Sequence, residues 1–320
     1  MNSYANENSN WDNAGTTDNV YMDNVPVSLQ NGTWAPTPTY YWPKSAKLTF
    51  ASYSPYKKSG YGVPKYDKTA GYQFTNYKIE EDANVDLMVA DIAKDKTYNE
   101  GPTYFYEGVP TLFRHLLTDL QFKFKRASYS NDNVDEEKSY ITVTKVELIN
   151  FIDTKSYSNE AWTANTAAGS TSFNITDGSL ELKQNVVLPE TPKDVIIMPQ
   201  NLVNKIVPAE GETAPAFQAL KVTYNIVTYF TGKDNPVTES NVVSTVPFYY
   251  AGQAAQEADN TVDPPIPAVP AIPAITEFRK NQKIVYTVTI FPYANNPILF
   301  DPAVVAWDET TGTLDLVNAD

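Results

Sequence analysis

The chain has 320 residues, 42% of them hydrophobic, with a formal net charge of −14 and a pI near 4.6. That length and composition supply a sizeable core, in two ordinary domains or one large all-β body. The acidic balance argues against nucleic acid, whose phosphates need a basic surface, and disfavours attraction to anionic membranes.

The first residues, MNSYANENSNWDNAG, are polar and unlike a signal peptide, and no apolar run reaches the ~18–20 residues that span a bilayer. Tyr is common, with 22 copies, and Tyr, Thr, Val and Ile favour pleated, half-buried surfaces. LTFASY places Leu48 and Phe50 on one face of a predicted strand bordered by Pro43 and Pro55. LFRHLLTDL, residues 112–120, has only a weak helical spacing and reads as a turn of helix or an irregular strand. LQFKFKR alternates, with Leu120, Phe122 and Phe124 inward and Gln121, Lys123 and Lys125 outward. In YITVTKVELINFI the apolar phase moves from Ile141 and Val143 to Val146 and Leu148, which predicts a β-bulge near Lys145. Small and polar residues over 156–172 mark a domain junction. LKVTYNIVTYF sets Leu220, Val222, Tyr224, Ile226 and Phe230 on one side, and IVYTVTI repeats the pattern with Ile284, Tyr286, Val288 and Ile290. Between them Pro264, Pro265, Pro267, Pro270 and Pro273 stiffen a loop that cannot be a central strand. These strands carry one wet face, the antiparallel habit, and the chain is predicted to be all-β.

Groups that carry chemistry are sparse. With no Cys, disulfides, thiolate catalysis and zinc–thiolate sites are all excluded. The one histidine, His115, sits in the largely apolar context FRHLL and reads as a packed, hydrogen-bonded residue; no GxSxG accompanies it. NDNVDEE, residues 131–137, lacks EF-hand spacing and reads as a solvated hairpin loop. No GxGxxG or GxxxxGK[ST] is present, so no nucleotide or other cofactor is implied, and nothing marks a catalytic or metal site. Tyr40, Tyr41, Trp42, Tyr53 and Tyr56 would stack on a sugar if they faced solvent together. The competing reading is architectural: Trp42 and Phe50 pack the body at a corner made by Tyr41, Trp42 and Pro43.

The order of the segments carries more than any one of them. YMDNVPVSLQNGTWAPTPTYYWPKSAKLTFASYSPY, then DLMVADIAK, VPTLFRHLLTDLQFKFK, KDVIIMPQNL, and KNQKIVYTVTI leading to NPILFDPAVVAW, resembles the Bacteroidetes fimbrillin-like family over nearly the whole chain. The matching residues include Val25, Val27, Asn31, Gly32, Trp34, Tyr41, Trp42, Pro43, Leu48, Phe50, Tyr53, Pro55, His115 and Trp307.

The resemblance implies two tandem transthyretin-like β-sandwich domains, residues 1–158 and 159–320, the second with the proline loop 262–275 and a C-terminal tail. It implies a non-enzymatic fimbrial subunit at the cell surface, reaching the outer membrane as a lipidated precursor, with other fimbrial subunits as partners. The first domain is expected to lack the family's leader and first strand, leaving an edge to which a second subunit adds a strand. Thr313, Leu314, Asp315, Leu316 and Val317 are the candidate donor strand; the alternative is a last strand of their own domain or a frayed end. The rival function is a tip or accessory adhesin that binds a host glycan or protein.

Overall fold

The computed structural model describes residues 2–8, 11–12, 19–56, 64–79, 85–98, 108–109, 111–129, 132–164, 170–174, 178–204, 216–252, 254, 274–292 and 299–305. The first strands are β1 (Asn2–Asn8), β2 (Asn19–Gln30), β3 (Thr33–Pro36), β4 (Lys47–Ser54), β5 (Lys65–Asp67), β6 (Gly71–Lys78), β7 (Met88–Ala90), β8 (Ala93–Lys96) and β9 (Phe113–His115). Then come β10 (Thr118–Arg126), β11 (Tyr140–Ile152), β12 (Thr154–Ser158), β13 (Ala161–Ala164), β14 (Ser170–Asn174), β15 (Leu180–Leu182), β16 (Val187–Leu188), β17 (Val195–Ile197) and β18 (Gln200–Asn201). The last are β19 (Ala219–Thr228), β20 (Val237–Pro247), β21 (Glu277–Phe278), β22 (Gln282–Ile290) and β23 (Leu299–Val305). No helix occurs among the described residues, and residues 112–120 take the irregular-strand alternative.

Among the described residues, four of the five sheets form two facing pairs, and the fifth is the two-stranded β18-β21. In the first pair, a seven-stranded sheet ordered β3-β2-β1-β4-β7-β9, with β8 also on β4, lies against a four-stranded sheet ordered β13-β12-β6-β5. Tyr53 meets Phe74 edge-on across them, 5.6 Å apart. In the second pair, β16-β10-β22-β23 with β17 on β10 lies against β14-β11-β19-β20 with β15 on β11. Phe122 from one sheet and Phe151 from the other converge on Phe248, at 6.2 and 5.6 Å. A single hydrophobic cluster, from Ala51 to Ile290, runs through both pairs.

The local chemistry explains most of these elements. Asn31 and Gly32 both take positive φ, 51° and 82°, the combination a two-residue hairpin between β2 and β3 requires. The period slip in β11 is a bulge: pairing with β19 jumps between Val143 and Lys145. The extra residue, Thr144, donates its hydroxyl to Thr223 O at 3.1 Å, and Ile141, Val143, Val146 and Leu148 are all fully buried.

Some expectations need correction. The pairing of β10 with β22 is parallel, with Leu120, Phe122 and Phe124 beside Ile284, Tyr286 and Val288; alternation alone does not set strand direction. Leu48 and Phe50 do share a face of β4, but it is the outer one. Phe50 packs with Met22 and Val25 in a small separate cluster, while Ala51 and Tyr53 enter the main core. Phe230 lies beyond the end of β19 and is half-exposed. The expected junction over 156–172 contains a hairpin, β12–β13, turning at Asn159 and Glu160 with φ of 49° and 60°. Sheet membership therefore does not part at residue 158. Strands β10 and β11 join the later strands, and β12 and β13 return to β6.

Deletion of Thr144, the extra residue, would leave Val143, Lys145 and Val146 in plain alternation, so Ile141, Val143, Val146 and Leu148 keep the inner face. The expected loss is only about 0.5–1.5 kcal/mol, that of the Thr144 hydroxyl bond, measured as a fall in the chemical-denaturation midpoint. A loss of several kcal/mol, as from burying Lys145, would rule out Thr144 as the extra residue.

Candidate functional site

The polar groups singled out by sequence are engaged structurally. His115, on the edge strand β9, bonds through Nδ1 to the Asp86 carboxylate. In the β10–β11 loop, Glu136 pairs with the buried Arg126 at 2.7 Å and accepts the Tyr129 N–H, while Asp135 pairs with Lys138 at 3.0 Å. Among the described residues no group of His, Asp and Glu is arranged to hold a metal ion.

A second polar group lies where β10, β17 and β22 meet. Asp119, 1% exposed, pairs with Lys283 at 2.8 Å, and Lys283 also reaches Asp194 at 3.1 Å. Burial pushes the Asp119 carboxyl up to about 6, an effect that the Lys283 ammonium opposes and the Asp194 charge reinforces.

The aromatic corner lies over the outer face of the seven-stranded sheet. Trp42 sits edge-on to Phe50 at 5.7 Å and remains 37% exposed; Tyr40 meets Tyr21 at 5.7 Å. Tyr41 is 79% exposed, and its carbonyl accepts the Tyr21 hydroxyl. Pro43 is half-buried. Tyr53 belongs to the opposite, inner face, where its hydroxyl donates to Asn24 Oδ1 at 2.8 Å. The predicted aromatic set is thus divided between two faces of one sheet, as period-two geometry requires.

The element with a distinctive position is β1. The sequence predicts no strand in NSYANEN, which has no apolar alternation. Residues 2–8 nevertheless form a strand in the middle of a sheet, between β2 and β4. Along all 7 of its residues it pairs antiparallel with β4, from Asn2 opposite Tyr53 to Asn8 opposite Lys47. Its ladder with β2 is broken by register shifts on both sides of Ala5. Asn24 on β2, at φ 50°, lies where pairing slips from Val25 to Met22. Just beyond β1, Trp11 is buried. A tryptophan in an otherwise largely polar stretch was the available signal for it. The candidate donor residues Thr313, Leu314, Asp315, Leu316 and Val317, Trp307, and residues 262–273 of the proline loop lie outside the described residues.

The described residues are thus built as sheets whose polar groups are engaged in structure, with a polar strand, β1, in mid-sheet. The chain belongs to the fimbrillin-like family, whose model matches residues 7–307. It is accordingly a fimbrillin-like structural or adhesion protein, and not an enzyme. Its fold is similar to that of a fimbrial protein from Bacteroides vulgatus, at 19% identity and a TM-score of 0.59, covering 96% of this chain and 92% of that one. A cell adhesion protein from Bacteroides uniformis matches at 15% identity and a TM-score of 0.46, covering 96% and 91%. A search of curated proteins gives no match.

The raised Asp119 carboxyl fixes the sign of a pH effect. Its folded form holds the proton more tightly than the unfolded form, so its contribution is full below about pH 4 and is lost as pH rises through about 6. Asp119→Asn should flatten the stability profile between pH 4 and 7 by on the order of 1–3 kcal/mol, seen as a difference between variant and parent in denaturant titrations. Parallel profiles would place the carboxyl at its ordinary value.

Proposed function

We propose that this chain is a structural subunit of a cell-surface fimbria and that subunits join by strand addition, with the slot now filled by β1 as the acceptor. The observation that carries this reading is the place of β1. It lies between two strands that would both be left with unpaired backbone if it were withdrawn. Its fit is uneven, continuous against β4 and broken against β2. Its sequence offers Tyr4 as the one large apolar residue, whereas the tail offers Leu314, Leu316 and Val317. Each such side chain contributes about 1.5–3 kcal/mol if fully buried, so exchange for the tail of a second subunit would be favourable.

On this reading the two pairs of sheets are the transthyretin-like sandwich domains that the family resemblance implies, with residues 118–152 belonging to the second. Other fimbrial subunits are the partners, and the chain reaches the outer membrane as a lipidated precursor. A tip or accessory adhesin is favoured instead by the exposed Trp34 and Tyr41, 58% and 79% accessible on the first sheet pair, which would serve a host glycan or protein.

The test compares three chains on unheated denaturing gels and by size exclusion: the sequence as given, one starting at Asn19, and one starting at Asn19 and ending at Trp307. Removal of β1 should produce a ladder of stable oligomers, and removal of the tail as well should abolish it. Monomers from the Asn19 chain, with its fold intact by circular dichroism, would overturn strand addition into this slot.

A further inference from the structure

Trp11 lies three residues beyond β1 and is 5% exposed. Its indole stacks on Tyr66 of β5 at 6.2 Å, and the Lys68 ammonium lies 4.8 Å from its ring centre. Its backbone N–H donates to Asp95 Oδ1 at 2.9 Å, and the next residue, Asp12, pairs with Lys94 at 2.8 Å. These partners come from β8 and from the β5–β6 hairpin, so the short segment is tied to both sheets of the first pair.

Two routes lead from this anchor back to the strand that borders β1. On the first, Asp95 donates its N–H to Thr49 Oγ1 at 3.0 Å, and Thr49 stands opposite Asn6 of β1. On the second, Tyr66 meets Tyr72 edge-on at 5.2 Å, the Tyr72 hydroxyl accepts the Ser52 N–H at 2.8 Å, and Ser52 stands opposite Ser3. The strand itself is polar, and its ladder with β2 is interrupted. A buried aromatic residue at its end therefore supplies apolar attachment that its own sequence does not.

We propose that Trp11, supported by Asp12, is the anchor that keeps β1 in its slot, and that withdrawal of the indole from between Tyr66 and Lys68 is the step that opens the slot. Trp11 is then a positioning residue, acting on the slot through β1. The link to assembly rests on the strand-addition reading; the anchoring of β1 does not.

Hydrogen exchange read by mass spectrometry separates the two. In Trp11→Ala, amides of Asn2–Asn8 and Lys47–Ser54 should exchange at least about tenfold faster, as expected for local opening, while Tyr140–Ile152 stays protected. Trp34→Ala, at an exposed position on β3, should leave the β1 amides unchanged. Wild-type exchange of β1 in a folded Trp11→Ala protein would overturn the proposal. If Trp11→Ala loses protection throughout, Lys68→Ala decides: it should give the same local pattern at about two- to fivefold, and no change would overturn the anchor. A labelled synthetic peptide of residues 308–320 then probes the slot. Loosened β1 without peptide binding upholds the anchor and counts against strand addition; peptide binding without loosening refutes the anchor.

Discussion

The parallel ladder between β10 and β22 is the constraint on which the rest of the molecule depends. It sets Thr118–Arg126 beside Gln282–Ile290, so all the intervening chain must leave and return as one long crossover. Phe122 stacks flat on Tyr286 at 5.6 Å within that ladder, and both rings meet Phe248, which directly follows β20 of the facing sheet. The second sheet pair therefore closes only when the ends of that crossover meet. Such non-local pairing is slow to form, because loop closure precedes the contacts that stabilise it.

The two sheet pairs are joined by directed polar bonds as well as by apolar packing. Lys155, on β12, donates its buried ammonium to Pro199 O at 2.6 Å, and burial lowers its affinity for the proton. Trp162 donates its indole N–H to Leu116 O at 2.7 Å, and Lys280 reaches Glu160 O at 2.8 Å. The Pro-Gln segment KDVIIMPQNL lies in this seam: Gln200 accepts the Ile152 N–H and donates to Met198 O. A buried group that must be hydrogen-bonded tolerates few orientations of its partners. The seam thus fixes how β12 and the 199–200 segment meet.

How much of this was legible in the sequence follows from what each signal encodes. Face alternation in β10, β19 and β22 is local, and the slip of phase in β11 located a bulge to one residue. Strand direction and partner choice are non-local, and the parallel β10–β22 pair left no mark on either segment. On β4 both faces are covered, so the alternating pattern identified the strand but not its inner face. The polar run at 156–172 is shared by linkers and hairpin turns, and here it marks the β12–β13 turn. At the candidate site the aromatic corner was visible from its rings and prolines. The strand beside it was not, because NSYANEN owes its conformation to the edges of β2 and β4 and not to its own propensity.

The unbroken register of β1 on β4 has a geometric consequence. Because β1 runs antiparallel to both neighbours, β2 and β4 point the same way across it. The slot between them therefore has a head and a foot. An incoming strand that reproduces the antiparallel ladder has one permitted direction of entry. If each chain both fills such a slot and presents one, every joint repeats the same sense. On the proposed strand-addition reading, the assembly would grow as a polar thread with two unlike ends, each subunit's orientation set by hydrogen-bond geometry inside a single sheet.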